Sequence, residues 1–267
     1  MSVKERLVKL GQALVPLIFV PRCASCLEVL PSKNDALCKE CAKIYELESK
    51  YICSACGRPH RFCTCKLEFE GVKTALVHVT AYDIKRNSVS KSIILNLKDT
   101  KYPGAFDFFA RELHETVKMR YVSLLERNNF AVSYVPRSEK ARKSAGHDQS
   151  YEIATRFARL AGVSAVTLFE NLSDEQQKKL DAKQRIENAK ANYVLADEEL
   201  DLSGKIVLII DDITTTGSSL GACAALAKGA GARAVIALVC ARAESKGSVQ
   251  ENDYFINGEE ENVGDRT

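Results

Sequence analysis

The sequence predicts an α/β protein with a parallel sheet, preceded by a small module held together by metal. Three observations carry that reading. From residue 72 onward, apolar stretches of strand length alternate with amphipathic stretches of helix length, the pattern of strand–helix–strand crossovers. One stretch, Val207-Leu208-Ile209-Ile210, is unbroken and β-compatible, as suits a strand buried on both faces. Eight of the ten cysteines crowd between positions 23 and 65 in closely spaced pairs, which reads as ligand knuckles rather than core packing.

Composition bounds the rest. The chain has 267 residues, 46% of them hydrophobic and 27% charged, enough for one medium domain and a smaller one. No apolar stretch approaches the roughly 18–20 residues of a membrane span. Leu14 to Val20 is short and interrupted by Pro16. With Lys4, Arg6 and Lys9 ahead of it, the start faintly resembles an export signal. The next residues are Pro21-Arg22-Cys23 rather than a small-residue cleavage site, so a cytoplasmic location is expected. Residues 2–15 read as an amphipathic helix with Val3, Leu7, Leu10 and Leu14 on one face. The net charge of +3 is too small to imply a polyanion partner. Residues 244–267 hold seven acids against two bases, which leaves +8 on the remainder. That tail is poor in apolar residues and has no period, so disorder is expected there. The expected division is 1–66, 67–243 and 244–267.

The cysteines pair as Cys23/Cys26, Cys38/Cys41, Cys53/Cys56 and Cys63/Cys65. A two-residue gap lets both thiolates face one ion, and two knuckles complete a tetrahedral shell. Sequential pairing makes Cys23, Cys26, Cys38 and Cys41 one site and Cys53, Cys56, Cys63 and Cys65 the other; interleaved pairing stays open. Two zinc ions are the expected occupants, both structural because thiolates fill every position. Disulfides would need an oxidising compartment. A segment of about 45 residues with so few core formers needs such a metal to fold. His60 lies inside the second loop and is expected at the surface. Cys223 and Cys240, in an Ala-rich helix and a buried strand, are expected core fillers.

Beyond the cysteines, Val72–Tyr82 alternates loosely and reads as a strand. Ile93–Leu97 is apolar and runs into Lys98. Residues 105–125 carry Phe106, Phe109, Leu113 and Val117 at helical spacing. Residues 131–135 form a strand ending at Pro136-Arg137-Ser138. Asp148 caps a helix over 149–161. Val163–Phe169 reads as another strand, 171–190 as a polar stretch, and Tyr193–Leu195 as a short strand. Strands over 204–210 and 233–239 flank a helix over 218–230.

The strand 204–210 ends at Asp211 and Asp212, and ligands of such sheets bind beyond the carboxyl ends of the strands. Adjacent carboxylates there can accept hydrogen bonds from vicinal sugar hydroxyls. Thr214, Thr215, Thr216, Gly217, Ser218 and Ser219 come next, as a turn into a helix N-terminus. Such a turn offers hydroxyls and backbone N–H groups to a phosphate. One strand–turn–helix unit thus suits both ends of a ribose 5-phosphate. Neither of two other nucleotide loops, G-x-x-x-x-G-K-[ST] or G-x-G-x-x-G after a strand, is present. Two basic clusters complete the inventory. Arg137, Lys140, Arg142 and Lys143 are expected in the loop after the strand 131–135. Lys178, Lys179, Lys183, Arg185 and Lys190 lie in the polar stretch. Cations there suit a pyrophosphate beside the sugar.

Val207 to Ser219 resembles the signature of type I phosphoribosyltransferases, which bind phosphoribosyl pyrophosphate (PRPP). The resemblance implies that Asp211 and Asp212 hold the ribose hydroxyls and that the turn holds the 5-phosphate. A paired zinc-ribbon module before such a domain resembles the ComF family, linked to DNA uptake in competent bacteria. That wider resemblance covers residues 14–243. It rests on Leu17 to Cys26 leading into the first knuckle and on the lysine segment Leu97-Lys98 to Tyr102. Gly146 and Gln149 match part of R-G-F-N-Q, and Gln177, Leu180, Arg185 and Asn188 match Q-x-x-L-x-x-x-x-R-x-x-N. Ala145, His147 and Asp148 depart from the former pattern, where Arg, Phe and Asn are usual. The family implies PRPP with Mg²⁺ as ligand and Lys98 and Arg185 as further binding residues. Arg137, Arg142 and Lys143, from the basic loop after the strand 131–135, are the expected pyrophosphate contacts, with Arg142 or Lys143 supplying the charge that Ala145 lacks. The family also implies a part in taking up single-stranded DNA beside a helicase-like partner. The alternative is an active phosphoribosyltransferase of nucleobase metabolism with an unknown acceptor.

Overall fold

The computed structural model describes residues 20–32, 34–82, 88–98, 103–127, 129–173 and 192–243. The expected N-terminal helix, the acidic tail, and the basic cluster from Lys178 to Lys190 with Arg185 lie outside them.

A five-stranded sheet forms the centre. Its strands are β1 (Lys66–Phe69), β2 (Val72–Tyr82), β3 (Phe130–Tyr134), β6 (Ile206–Thr214) and β7 (Ala234–Ala243). Their order is β1-β2-β7-β6-β3. β1 and β2 form an antiparallel hairpin, whereas β2–β7, β7–β6 and β6–β3 are parallel. The unbroken apolar run of β6 is explained by burial on both faces. Leu208 and Ile210 join one core, Val207 and Ile209 the other.

The first core is built by α1 (Lys39–Glu48), α2 (Val89–Asn96), α3 (Gly104–Arg120) and α6 (Gln149–Leu160). Phe106, Phe109, Leu113, Ile153 and Phe157 fill it, and Cys23, Ala24, Leu30, Cys41 and Tyr45 of the cysteine-rich segment share it. The second core lies under α7 (Ser218–Gly229) and the small antiparallel pair β4 (Phe169–Asn171) and β5 (Tyr193–Leu195). Cys223 and Cys240 are fully buried, one in each core. Two further helices, α4 (Val122–Arg127) and α5 (Glu139–Ala145), are short.

The mixed α/β architecture, mostly parallel, agrees with the expectation, with four corrections. The expected strand 163–169 is an extended passage with a single bridge, Val132 to Ala165, and the ladder forms at Phe169–Asn171 instead. The helix expected over 105–125 breaks at Tyr121. The region after β3 is not all loop: Ser138 accepts the Ala141 N–H and Gly146 closes α5 in the left-handed conformation, at φ 76°. β6 runs four residues past Ile210, because its register with β7 continues to Thr214 opposite Arg242.

Candidate functional site

Asp211 and Asp212 thus sit near the carboxyl end of a strand, held by its pairing with β7. The Ser150 hydroxyl donates to Asp211 Oδ1 at 2.8 Å, and the Asp212 N–H donates to the same oxygen at 3.0 Å. The Ile213 N–H donates to Asp212 Oδ1 at 2.6 Å. Burial, and then the neighbouring Asp212 carboxylate, hold the Asp211 carboxyl well above the usual range. Asp212 is raised too, by burial first, while the Ile213 N–H and the Arg137 guanidinium oppose the rise. Close carboxylates with this preference for their protons are poised to meet hydroxyl donors or a cation.

After β6 the chain turns through Thr215, Thr216 and Gly217 into α7. Gly217 adopts φ 79°, a left-handed conformation that glycine takes without a Cβ clash. Thr216 and Ser218 share a hydroxyl–hydroxyl hydrogen bond of 2.7 Å, which fixes two oxygens at the helix N-terminus. The Thr214 side chain is buried and Thr215 is exposed.

These groups line one cavity of about 640 Å³, within the size of small-ligand sites. Asp211, Asp212 and all of Thr214 to Ser219 border it, as do Arg137 and Lys140. The other expected anion contacts stand elsewhere. Arg142 borders a neighbouring cavity of about 550 Å³. Lys143 is paired with Glu139 at 2.6 Å on the exposed side of α5. Lys98, exposed just past α2, is not in the cavity lining. The His147 ring ties that region to the α5–α6 corner, reaching Leu97 O and Ala145 O at 3.0 Å each.

Ser138, Ser150, Asn171 and Tyr193 also border the cavity, and sequence reasoning missed them. Ser138 and Ser150 were legible as helix N-terminal residues, the first as a cap. Asn171 and Tyr193 face the cavity only because β4 and β5 pair, which no local pattern encodes.

The cysteines fall into the sequential sets, Cys23/Cys26/Cys38/Cys41 and Cys53/Cys56/Cys63/Cys65, with the four sulfurs of each within 4.8 Å of one another. None is in a disulfide. Sulfur separations are 3.7 Å for Cys26–Cys38, 3.9 Å for Cys53–Cys65 and 3.6 Å for Cys56–Cys63. A tetrahedron of thiolates about 2.3 Å from a zinc ion has edges of about 3.8 Å, so both sets fit that ion. Burial opposes ionisation of Cys23 and Cys56. Surrounding backbone N–H groups and neighbouring thiols outweigh it and bring them down to about 7 and about 6. Burial pushes Cys41 up to about 12. His60 is a correction: it is buried, not at the surface, and its Nδ1 lies 3.2 Å from Nδ1 of His78 on β2.

Residues 148–265 match the family model described as the phosphoribosyl transferase domain. That match contains the acid pair and the whole turn. Solved structures similar to the chain include an asparagine mutant from the analysis of an invariant aspartic acid in HPRTs. It is 12% identical, with a TM-score of 0.31, over 56% of this chain and 81% of that one. Another is a hypoxanthine phosphoribosyl transferase from Trypanosoma cruzi, 12% identical, with a TM-score of 0.32, over 56% and 80%. No curated protein matches the chain. No described helix is long and apolar enough to cross a membrane.

Proposed function

We propose that this chain binds PRPP, or another ribose 5-phosphate group, in the cavity at the end of β6. We read its biological role as that of a ComF-type component of single-stranded DNA uptake, working beside a helicase-like partner. The observation that carries the ligand reading is the meeting of the Asp211/Asp212 pair and the Thr214–Ser219 turn on one cavity, inside a matched phosphoribosyl transferase domain. The carboxylates take the vicinal hydroxyls and the turn takes the 5-phosphate. Arg137 and Lys140 supply positive charge where a pyrophosphate would project. Mg²⁺ would enter with PRPP and neutralise that group. A transfer reaction would break the C1′–oxygen bond, pyrophosphate leaving with the electron pair, while a lone pair of the acceptor forms the new bond to the cationic C1′ and the acceptor gives up its proton. The two cysteine clusters are read as structural zinc sites.

Calorimetric titration of PRPP, with and without Mg²⁺, tests the ligand. Binding is expected, weakened roughly ten- to hundredfold in Asp212→Asn, the range for losing a hydrogen-bonding charge. A wild-type chain that takes up no PRPP ends the reading. Single-stranded oligonucleotide binding tests the role. Salt-sensitive binding that survives Asp212→Asn but fails in the Arg142→Ala/Lys143→Ala double variant supports DNA handling. Pyrophosphate release with a nucleobase panel, lost in Asp212→Asn, would support a metabolic transferase in its place.

A further inference from the structure

β1 joins the second cysteine cluster to the phosphate turn within a few residues. Cys65 is the last thiolate of that cluster, and β1 begins at the next residue. Leu67 comes two positions on, about 7 Å of extended chain. Its side chain lies on the turn: a Cβ built on Gly217 would fall 2.6 Å from Leu67 Cδ2. Phe69, buried, lies on the first turn of α7, where a Cβ on Gly221 would fall 2.5 Å from Phe69 Cβ. The two glycines that shape the turn and its helix are therefore covered by one short strand. Among the described residues, β1 is an edge strand of four residues, paired with β2 alone. So short an edge holds little by itself; it is held along its length by β2 and at its start by the cluster.

A second connection runs along the sheet. Arg242 of β7 is the register partner of Thr214, the last residue of β6. Its Nη1 reaches Cys53 Sγ at 4.0 Å. Among the described residues, the first cluster has no such route. It packs through Cys23 and Cys41 into the core on the opposite face of the sheet, away from Leu67 and Phe69.

We propose that Leu67 and Phe69 are positioning residues for the phosphate turn. The second cluster, by anchoring the strand that carries them, determines how far that turn is preformed for a phosphate monoester. This rests on the reading of the turn as a phosphate cradle. Metal in the second cluster lowers the conformational freedom the turn must lose on binding, so affinity for the phosphate group depends on occupancy of a site that never touches it.

Hydrogen exchange of the amides over residues 214–219, measured on the zinc-loaded full chain, tests the proposal. Cys56→Ser disables the second cluster and Cys26→Ser the first. Leu67→Ala leaves all eight thiolates in place, so it keeps the test valid if Cys56→Ser does not fold. Exchange over 214–219 is expected to rise on the order of tenfold in Leu67→Ala and in Cys56→Ser, the ratio for about 1.4 kcal/mol of opening free energy. Leu67→Met is expected to restore protection, and Cys26→Ser to leave the turn as in the wild type. Exchange in β3, at the far edge, stays unchanged in Leu67→Ala, which separates positioning from general destabilisation. Wild-type protection of the turn in Leu67→Ala, or equal loss in Cys26→Ser and Cys56→Ser, overturns the proposal. Ribose 5-phosphate titration is run alongside, with a severalfold weaker affinity expected in Leu67→Ala. A wild-type chain that binds none refutes the cradle reading, while the exchange comparison still decides the positioning claim.

Discussion

Asp211 shows what the site asks of single residues. Burial and the adjacent Asp212 raise its carboxyl above the ordinary range, so the folded chain holds its proton more tightly than the unfolded one. Between the ordinary carboxylate pKa and the raised one, the folded state binds more protons, and stability falls as pH rises through the folded pKa. Asn in that place carries no charge to desolvate and can still accept from the Ser150 hydroxyl and the Asp212 N–H. Asp211→Asn is therefore expected to be more stable than the wild type at neutral pH. The advantage shrinks to nothing as pH drops below the ordinary carboxylate range, where both side chains are neutral. Thermal midpoints measured across pH check this, and a variant less stable at neutral pH would contradict it. The same variant is expected to lose affinity for ribose 5-phosphate. A gain in stability with a loss in binding is the mark of a residue kept for its ligand rather than for the fold.

At the scale of elements, the cysteine-rich segment does more than gather two sets of thiols. Glu48, at the end of α1, is buried and receives the Val89 N–H at 2.8 Å, the Ser90 N–H at 2.9 Å and the Ser90 hydroxyl at 2.6 Å. It thereby satisfies the first N–H groups of α2 from outside that helix. Glu48→Ala leaves those donors buried without a partner. Destabilisation of about 1.5–3 kcal/mol is expected, the range for hydrogen bonds to a charged group, and denaturant midpoints measure it. Gly221→Ala tests the β1–α7 contact: its Cβ would press on Phe69 rather than on a flexible chain end. Overpacking there is expected to cost about 1–3 kcal/mol, against a gain in helix propensity of about 1 kcal/mol; net destabilisation in melting experiments is the predicted sign. Neither contact was legible in the sequence. The strands β2, β6 and β7 and the helices α6 and α7 were: β6 and β7 are near-continuous apolar runs, as suits strands buried on both faces, β2 alternates loosely, α6 opens on its Asp148 cap, and α7 is an Ala-rich stretch between two strands. β1 was not, because Lys66–Phe69 is too short to show a period and is fixed by pairing with β2. α5 carried its signals, Ser138 at the start and Gly146 at the end, but lacks an apolar face to draw attention to it. The acid pair and turn were legible because their chemistry is contiguous in the chain. The rest of the cavity, Asn171 and Tyr193 above all, is assembled from distant segments.

Across the whole molecule, the seam between the cysteine-rich segment and the sheet carries two buried imidazoles. His60 and His78 face each other through their Nδ1 atoms, and among the described residues no partner reaches the buried Nε2 of His78. A proton on His78 Nδ1 serves both His60 Nδ1 and the Thr80 carbonyl at 3.4 Å. It also leaves a bare lone pair rather than a stranded N–H at Nε2, which favours that tautomer. Burial lowers the two rings from 6.5 to about 4 for His60 and about 3 for His78; Arg242 adds to the fall at His60, and His60 itself adds to it at His78. Both folded pKa values lie below the unfolded one. The unfolded chain therefore takes up more protons as pH falls, and stability present above about pH 6.5 is lost on acidification towards those lower values. Each ring contributes a slope of up to about 1.4 kcal/mol per pH unit. Thiolates of the clusters also protonate in acid and push the same way, so the measurement belongs in saturating zinc. Under that condition, the double variant His60→Gln/His78→Gln is expected to show a flatter decline of thermal midpoint with acid than the wild type. Identical slopes would mean that the two imidazoles take no part in acid stability. A flatter slope in the double variant would assign part of it to the seam through which the cysteine-rich segment grips β2, the strand that β1 pairs with beside the turn after β6.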